Sequence, residues 1–185
     1  MKFIKQTIVI LLSSLVHSSS GFSALTDWKA PISATIKIGN QEWMAKNYDL
    51  PMPNSFYYER DSLNNLEEGR LYFFSSAIAA CPKGFHLATD EEWQSMINFL
   101  GGDSLAKVKL MKGGETGMNI TLSGYRSANS ANDLFGKKGE IGFYWTSTVK
   151  AEQVAYGRTI DKTSNLIESK GYRRANAFSV RYLKD

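Results

Sequence analysis

Residues 81–93 constrain the fold of this chain most, because their sequence, CPKGFHLATDEEW, combines a helix stop, a turn and a helix start. Before them, apolar residues recur at helical spacing and predict a first helix over residues 72–81. Pro82 has no amide donor and disfavours helical dihedral angles at the residue before it, so this helix is predicted to end at Cys81. Its predicted buried stripe comprises Phe74, Ala77, Ile78 and Cys81, with Ser75, Ser76 and Ala79 nearer solvent.

The second helix has a well-formed start signal. Thr89 and Glu92 have the spacing of a capping box, in which each side chain accepts a hydrogen bond from the other residue's backbone amide. The helix is predicted over residues 90–100, and the glycines at 101 and 102 end it. Its buried face is predicted to comprise Trp93, Met96, Ile97 and Leu100.

Most of the remaining chain has the alternation of β-strands. Near the amino terminus, Ile36 and Ile38 alternate with polar residues, Gly39 and Asn40 predict a tight turn, and a second strand follows with Trp43 in the core. Residues 50–65 are predicted to form an irregular loop with one short strand.

The later part of the chain is predicted to begin with a short helix over residues 104–111, capped by Asp103. Strands are then predicted over residues 119–125, 143–148, 154–160 and 178–182. In the last of these, Phe178, Val180 and Tyr182 share the buried face, and Ser179 and Arg181 lie on the other. Helices grouped before a run of short strands indicate an α+β fold.

The amino-terminal residues 1–24 have the pattern of a secretory signal peptide, with Lys2 and Lys5, an apolar run over residues 8–16 and then small residues. We therefore expect export and a mature chain of residues 25–185 that forms one domain. The apolar run is too short to span a bilayer. Removing the two lysines lowers the Lys plus Arg count from 22 to 20, against 18 Asp plus Glu. This small excess gives no reason to expect a nucleic-acid partner.

The few reactive side chains argue against catalysis and against a metal cofactor. Cys81 is the only cysteine, and His86 is the only histidine outside residues 1–24. Zinc sites and histidine-based metal sites therefore lack ligands, and we predict no cofactor and no catalytic residue. A structural His86, hydrogen-bonded within the turn, is favoured over a Cys81–His86 nucleophile and base, because no third residue orients the base. Ser147 lacks the glycine-flanked elbow of a hydrolase nucleophile.

Six blocks of sequence, in this order and spacing, resemble the Fibrobacter succinogenes major paralogous domain. They are IGNQEWMAKN at residues 38–47, GRLY at 69–72, CPKGFHLATDEEW at 81–93, GYR at 124–126, YWTST at 144–148 and FSVR at 178–181. The resemblance implies a secreted or surface-exposed bacterial protein with a C-type-lectin-like fold, which has two principal helices and a mainly antiparallel, loop-rich sheet. It also implies a distant likeness in architecture to formylglycine-generating enzymes.

The chain departs from what this resemblance implies. Members often have a second cysteine where Tyr182 stands, so Cys81 is either a buried thiol, which its place on the apolar stripe favours, or a thiol available for intermolecular pairing. The triplets that bind calcium and sugar in C-type lectins are absent, and Asn132 and Asp133 in a glycine-rich loop are only weak candidates for a calcium site. The cysteine pair of formylglycine-generating enzymes and the histidine ligands of the related sulfoxide synthases are absent too.

A carboxy-terminal surface rich in arginine and aromatic side chains is predicted to bind the ligand. Guanidinium groups donate paired hydrogen bonds and aromatic faces stack, which suits a glycan or protein partner. The alternative is that Trp145 and Tyr156 belong to the core and that the arginines lie on solvated strand edges. The predicted ligand-binding residues are Arg126, Tyr144, Trp145, Tyr156, Arg158, Tyr172, Arg173 and Arg174.

Three functional hypotheses are consistent with these patterns. The first is a non-catalytic binding module, secreted or exposed at the surface, that recognises a glycan or protein through its carboxy-terminal loops. The second is a structural or assembly component of the bacterial cell envelope, for which dimers linked through Cys81 would be the sign. The third is an enzyme of the formylglycine-generating type with substituted residues, for which bound copper or iron would be the sign.

Overall fold

The computed structural model describes residues 34–128 and 134–185. Within these ranges the chain is a mixed fold of three helices and twelve mostly antiparallel strands, which confirms the predicted α+β class. None of the described helices combines the length and the apolarity needed to cross a membrane. The predicted signal peptide, the predicted start of the mature chain at residue 25, and the calcium candidates Asn132 and Asp133 lie outside the described residues.

The strands are short except for one long pair in the carboxy-terminal half. They are β1 Thr35–Ile38, β2 Gln41–Met44, β3 Ser55–Phe56, β4 Leu71–Phe73, β5 Phe85–Leu87, β6 Ser123–Arg126, β7 Phe135–Lys138, β8 Ile141–Ala151, β9 Val154–Asp161, β10 Ile167–Arg173, β11 Ala177–Phe178 and β12 Tyr182–Lys184. The helices are α1 Phe74–Ala79, α2 Asp90–Phe99 and α3 Asp103–Leu110, and a single 3-10 turn covers Tyr58–Arg60.

The strands form two sheets. The smaller sheet has the antiparallel order β1-β2-β12-β5, so the amino-terminal hairpin pairs with the last strand of the chain. The larger sheet has the order β10-β9-β8-β6-β11-β4-β3, and β7 pairs with β6 at its side. Its named-strand pairings are antiparallel except that of β6 with β8, which is parallel. The predicted hairpin is confirmed, and Gly39 adopts a φ of 60° in its two-residue turn.

The second predicted helix is confirmed as α2. The side chain of Thr89 accepts from the Glu92 amide at 3.0 Å, and the Glu92 carboxylate accepts from the Thr89 amide at 2.7 Å, so the predicted capping box is present. The four residues of the predicted face, Trp93, Met96, Ile97 and Leu100, are all buried. Local sequence signals were sufficient here because capping and helical periodicity agree.

We predict that Thr89→Ala lowers the free energy of unfolding by about 1 kcal/mol, because it removes the hydroxyl that satisfies the Glu92 amide. Urea denaturation followed by circular dichroism measures the change. Thr163→Ala is a suitable control, since that exposed threonine lies outside any helix and its hydroxyl bonds, among the described residues, with the Asp161 carboxylate. A loss in Thr89→Ala no greater than in the control would contradict the role assigned to the cap.

The first predicted helix was too long, and its buried stripe was partly wrong. Residues 71–73 form strand β4, which pairs with β3 and β11, so helix α1 starts only at Phe74. It ends at Ala79, with Cys81 outside it and half-buried. Ser76 is buried and donates to the Pro53 carbonyl at 2.7 Å, whereas Ile78 is 46% exposed. Strand pairing with distant residues thus overrode the helical periodicity.

The third predicted helix exists, but its cap was wrong. Helix α3 begins at Asp103 itself, and Gly102 occupies the capping position with a φ of 90°. No side chain of the described residues caps this helix, and Asp103 places a negative charge in its first turn, where the helix dipole favours it. Residues Ile167–Arg173 form strand β10, which the sequence analysis did not predict.

Two hydrophobic cores lie on opposite sides of strand β8. One contains Trp43, Trp93 and Tyr144, packed under helices α2 and α3. The other contains Trp145 and Phe178, packed near helix α1. Because successive side chains of a strand point to opposite faces, neighbouring residues of β8 enter different cores. Strand β8 is therefore buried on both faces along its first half.

The last predicted strand was wrong in its form and in its exposed face. The chain changes sheets here, with β11 in the larger sheet and β12 in the smaller one. Ser179 and Arg181, which were predicted on the solvent side, are 0% and 1% exposed. Their neighbours Val180 and Tyr182 are buried too. The segment that crosses between two sheets has protein on all sides, so the alternation of polar and apolar residues does not indicate exposure.

Candidate functional site

Three of the eight predicted ligand-binding residues lie in the protein interior. Tyr144 and Trp145 have no exposed area, and Arg158 is 2% exposed. The Trp145 indole donates to the Tyr72 carbonyl at 2.8 Å and stacks on Phe178 with ring centroids 4.3 Å apart. These side chains do not reach the surface, because β8 and the adjacent part of β9 lie between the two cores. Their contribution is to the packing of the sheet.

Arg158 is held by the start of helix α2. Its Nε donates to Asp90 Oδ1 at 2.6 Å, and its Nη2 donates to the Asp90 carbonyl at 2.8 Å. Its Nη1 donates to Gln94 Oε1 at 3.0 Å, and Ser169 donates to the same Asp90 oxygen. The first acidic residue of the helix therefore joins α2 to strands β9 and β10, in addition to complementing the helix dipole.

The other five predicted residues reach the surface, but in different places. Tyr156 and Tyr172 are half-buried on strands β9 and β10, and Tyr172 packs edge-on against Phe178 at 5.0 Å. Arg173 is exposed. Arg126, on strand β6, and Arg174, just after β10, instead lie over phenylalanine rings. The structure therefore brings only part of the predicted set together.

Arg126 and Arg174 belong to a connected surface of arginine and phenylalanine side chains. Arg126 lies over Phe56 and Phe73, with its guanidinium carbon 4.6 and 5.1 Å from the ring centroids. Arg174 lies 4.5 Å over Phe74, the residue after Phe73. We call these five residues the arginine–phenylalanine surface. Cation–π contacts hold both guanidinium groups at defined positions, which lowers the entropy that a ligand contact would cost.

A groove of about 590 Å³ borders this surface at Arg174. We call it the Arg174 groove, and its lining residues are Phe73, Phe74, Ser75, Ile78, Gln153, Arg174 and Ala175. Arg174 Nη1 donates to the Glu152 carbonyl at 2.8 Å, whereas Nε is buried and has no hydrogen-bond partner in the described part of the chain. The groove thus combines apolar side chains with polar donors.

The sequence prediction missed a buried arginine at the junction of the two sheets. Arg181 Nε donates to Asn47 Oδ1 at 2.7 Å, and Nη1 donates to the carbonyls of Met44 and Met118, both at 2.9 Å. A longer contact of 3.4 Å joins Nη2 to the Asn119 carbonyl. Burial lowers the pKa of Arg181 to about 10, so the guanidinium keeps its charge at neutral pH.

Asn47 extends this junction into a network of hydroxyl groups. Its Nδ2 lies 2.9 Å from Thr121 Oγ1 and 3.3 Å from the hydroxyls of Ser123 and Ser179, and it donates to the Glu68 carbonyl at 2.7 Å. The amide therefore joins loops far apart in sequence. The only sequence signal for this junction was the presence of Asn47 and Arg181 in two of the six blocks, and strand alternation placed the arginine on the wrong face.

A second depression lies beside Arg181. It has a volume of about 450 Å³ and is lined by Ala45, Lys46, Leu66, Glu67, Lys112, Gly117, Asn119, Thr121 and Arg181. We call it the Arg181 pocket. Lys112 and Glu67 form an exposed ion pair at its rim with Nζ and Oε2 2.6 Å apart, and Lys46 is exposed.

Cys81 and His86 have structural contacts. The Cys81 thiol donates to the Phe85 carbonyl at 3.0 Å, and burial together with the nearby Asp185 carboxylate raises its pKa to about 11. His86 lies between Asp185 and Glu92, with ring nitrogens 2.8 and 3.0 Å from their carboxylate oxygens. Partial burial alone lowers the pKa of His86, but hydrogen bonds to the two carboxylates outweigh it and raise the pKa overall. His86 thus ties strand β5 to helix α2 and to the end of the chain.

Side chains of metal-binding type do not converge in the described part of the chain. No group of three or more histidine, cysteine, aspartate or glutamate side chains there is placed to hold a metal ion. The two depressions described above are lined mainly by arginine, lysine, amide, hydroxyl and apolar side chains, with one carboxylate, Glu67. Their chemistry suits the binding of polar or anionic molecules.

The two sheets, the three helices and the buried polar junction define a mostly antiparallel α+β protein whose last strands connect both sheets. The Fibrobacter succinogenes major domain (Fib_succ_major) matches residues 36–184, and the chain belongs to this family, as its six blocks predicted. No curated protein and no solved structure matches the chain significantly.

Proposed function

We propose that this protein is a non-catalytic binding module of C-type-lectin-like architecture that recognises a glycan at the bacterial cell surface through the Arg174 groove. The observation that carries the proposal is the combination in one groove of a positioned guanidinium, an exposed amide at Gln153 and apolar side chains at Phe73 and Ile78. Sugars present hydroxyl groups on their edges and C–H groups on their faces, so they need both kinds of partner.

The state of Arg174 favours a ligand at this position. Its ring contact and its bond to the Glu152 carbonyl hold the side chain in place before any ligand arrives. Its Nε remains a buried donor without an acceptor among the described residues, and an unpaired buried donor costs about 1–3 kcal/mol. A small rearrangement of the groove that exposed this nitrogen to a ligand hydroxyl would remove that cost.

The proposed location rests on the predicted signal peptide, residues 1–24. The proposed architecture rests on the α+β class, on the pairing of the amino-terminal hairpin with the last strand, and on the family resemblance. Recovery of the native protein from the cytoplasm with residues 1–24 still attached would contradict the proposed export.

The test of the binding function is a glycan array probed with the purified protein and with Arg174→Ala. We expect specific binding that survives a calcium chelator, and a loss of about tenfold or more in affinity in the variant, because a hydrogen bond from a charged donor contributes about 1.5–3 kcal/mol. Arg173→Ala is the matched control, since its side chain is adjacent in sequence but does not line the groove.

The alternatives are outcomes of the same experiment. A blank array would favour a protein partner or a structural role in the envelope, and crosslinking in the native cell would then separate these two. Loss of binding on chelation would indicate a metal-dependent site instead. Equal effects of Arg173→Ala and Arg174→Ala would contradict the assignment of the groove. Circular dichroism of each variant confirms that it is folded.

A further inference from the structure

We propose that the Arg181 pocket is an oxyanion-binding site, which takes the sulfate, phosphate or carboxylate group of an acidic ligand. This site shares no lining residue with the Arg174 groove, and the proposal stands independently of the glycan-binding function.

The first argument is the charge balance around Arg181. The side chain is buried, and no carboxylate of the described residues lies within ion-pair distance of it. Its acceptors are one amide oxygen and backbone carbonyls, which are all neutral. Buried charges in proteins are ordinarily paired, because desolvation of an ion costs several kcal/mol. An anion in the adjacent pocket would supply the missing opposite charge.

The second argument is the geometry of the guanidinium group. Nε donates to Asn47, and Nη1 donates to the carbonyls of Met44 and Met118, in bonds of 2.7–2.9 Å. None of these three residues lines the pocket. Nη2 has only the 3.4 Å contact to the carbonyl of Asn119, a residue that lines the pocket. Nη2 is thus the guanidinium nitrogen that contacts a residue of the pocket lining, and only one of its two N–H groups has an acceptor among the described residues.

The third argument is the composition of the rim. Lys46 and Lys112 add two positive charges, and Glu67 adds one negative charge, so with Arg181 the pocket carries a net charge of +2. The neutral polar side chains are already occupied, since Asn119 bonds to Gly117 and Gly113. Recognition would thus rest on positive charge and a few N–H donors, which is typical of binding to oxyanions.

The test is a titration of the purified protein with sodium sulfate at constant ionic strength, followed by amide chemical shifts in NMR spectra. We expect saturable shifts at residues 45–46 and 117–121. In parallel, a titration with glucuronate tests a carboxylate ligand against the inorganic anion. Its uncharged methyl ester shows whether the negative charge is required. Binding of either charged probe supports the proposal, and the absence of saturable shifts with both would overturn it.

Substitutions of two pocket residues that carry opposite charges make the test specific. Lys46→Gln should weaken binding by about two- to fivefold and Glu67→Gln should tighten it by a similar factor, the range expected for one partly exposed charge. Lys83→Gln is the control, because this exposed lysine lies outside the pocket. Equal effects of Lys46→Gln and Lys83→Gln would show that the anion responds only to the overall charge, which would also overturn the proposal.

Discussion

Replacing Trp93 with alanine is expected to lower the free energy of unfolding by about 3–5 kcal/mol, because the substitution leaves a large cavity beneath helix α2. Trp93 has no exposed area and packs against Trp43 and Tyr144, with ring centroids 5.0 and 5.7 Å apart. It therefore joins the smaller sheet, helix α2 and strand β8. The measurement is urea denaturation followed by circular dichroism at a fixed temperature.

Two further variants of helix α2 serve as comparisons for this result. Trp93→Phe keeps an aromatic ring, and Trp93 Nε1 has no hydrogen-bond partner among the described residues, so we expect less than half of the alanine effect. Ser95→Ala changes an exposed residue two positions along and should alter stability by less than about 0.5 kcal/mol. A loss in Trp93→Ala as small as that in Ser95→Ala would contradict the packing described for this core.

The second large effect is expected for Asp90→Ala, which should lower the free energy of unfolding by about 3 kcal/mol. It removes the carboxylate that accepts from Arg158 Nε at 2.6 Å, and it leaves a buried arginine side chain without its opposite charge. Removing one partner of a buried pair leaves the desolvation cost of the other uncompensated. Denaturation curves of the variant and of the parent protein measure the difference.

Glu91→Ala is the matched control for this prediction. It removes a negative charge from the same first turn of helix α2, but the residue is exposed, so only the helix-dipole contribution of about 0.3–1 kcal/mol is lost. The double variant Asp90→Ala/Arg158→Met should recover part of the stability, because it also removes the buried charge. If the double variant is no more stable than Asp90→Ala, the loss does not come from the unpaired arginine.

The sequence predicted best those elements whose signals are local. Thr89 and Glu92 are three residues apart, and their capping box is formed by the same residues that the pattern indicated. The β1–β2 hairpin depends on a two-residue turn and was likewise confirmed. The hydrogen-bond donors and acceptors of these structures lie within a few residues of one another, so the structures can be predicted without knowing how the rest of the chain folds.

The candidate site was predicted only in part, since its residues acquire their roles through distant partners. Arg174 was identified as an exposed arginine, but the groove beside it also needs Phe73 and Phe74, about 100 residues earlier in the chain. Arg158 was expected at the surface, but Asp90, 68 residues away, holds it inside. The same residue type is exposed in one place and buried in another, because the partner decides which state has the lower free energy.

The sequence by itself thus determined the family, the α+β class, the amino-terminal hairpin and helix α2 with its buried face. Only the tertiary structure decided that β8 lies between two cores and that the segment around Arg181 crosses from one sheet to the other. The physical reason is that a period of two distinguishes two faces of a strand but does not say what covers each face. Where both faces are covered, burial follows from the packing of distant segments, such as Asn47 against Arg181, 134 residues apart.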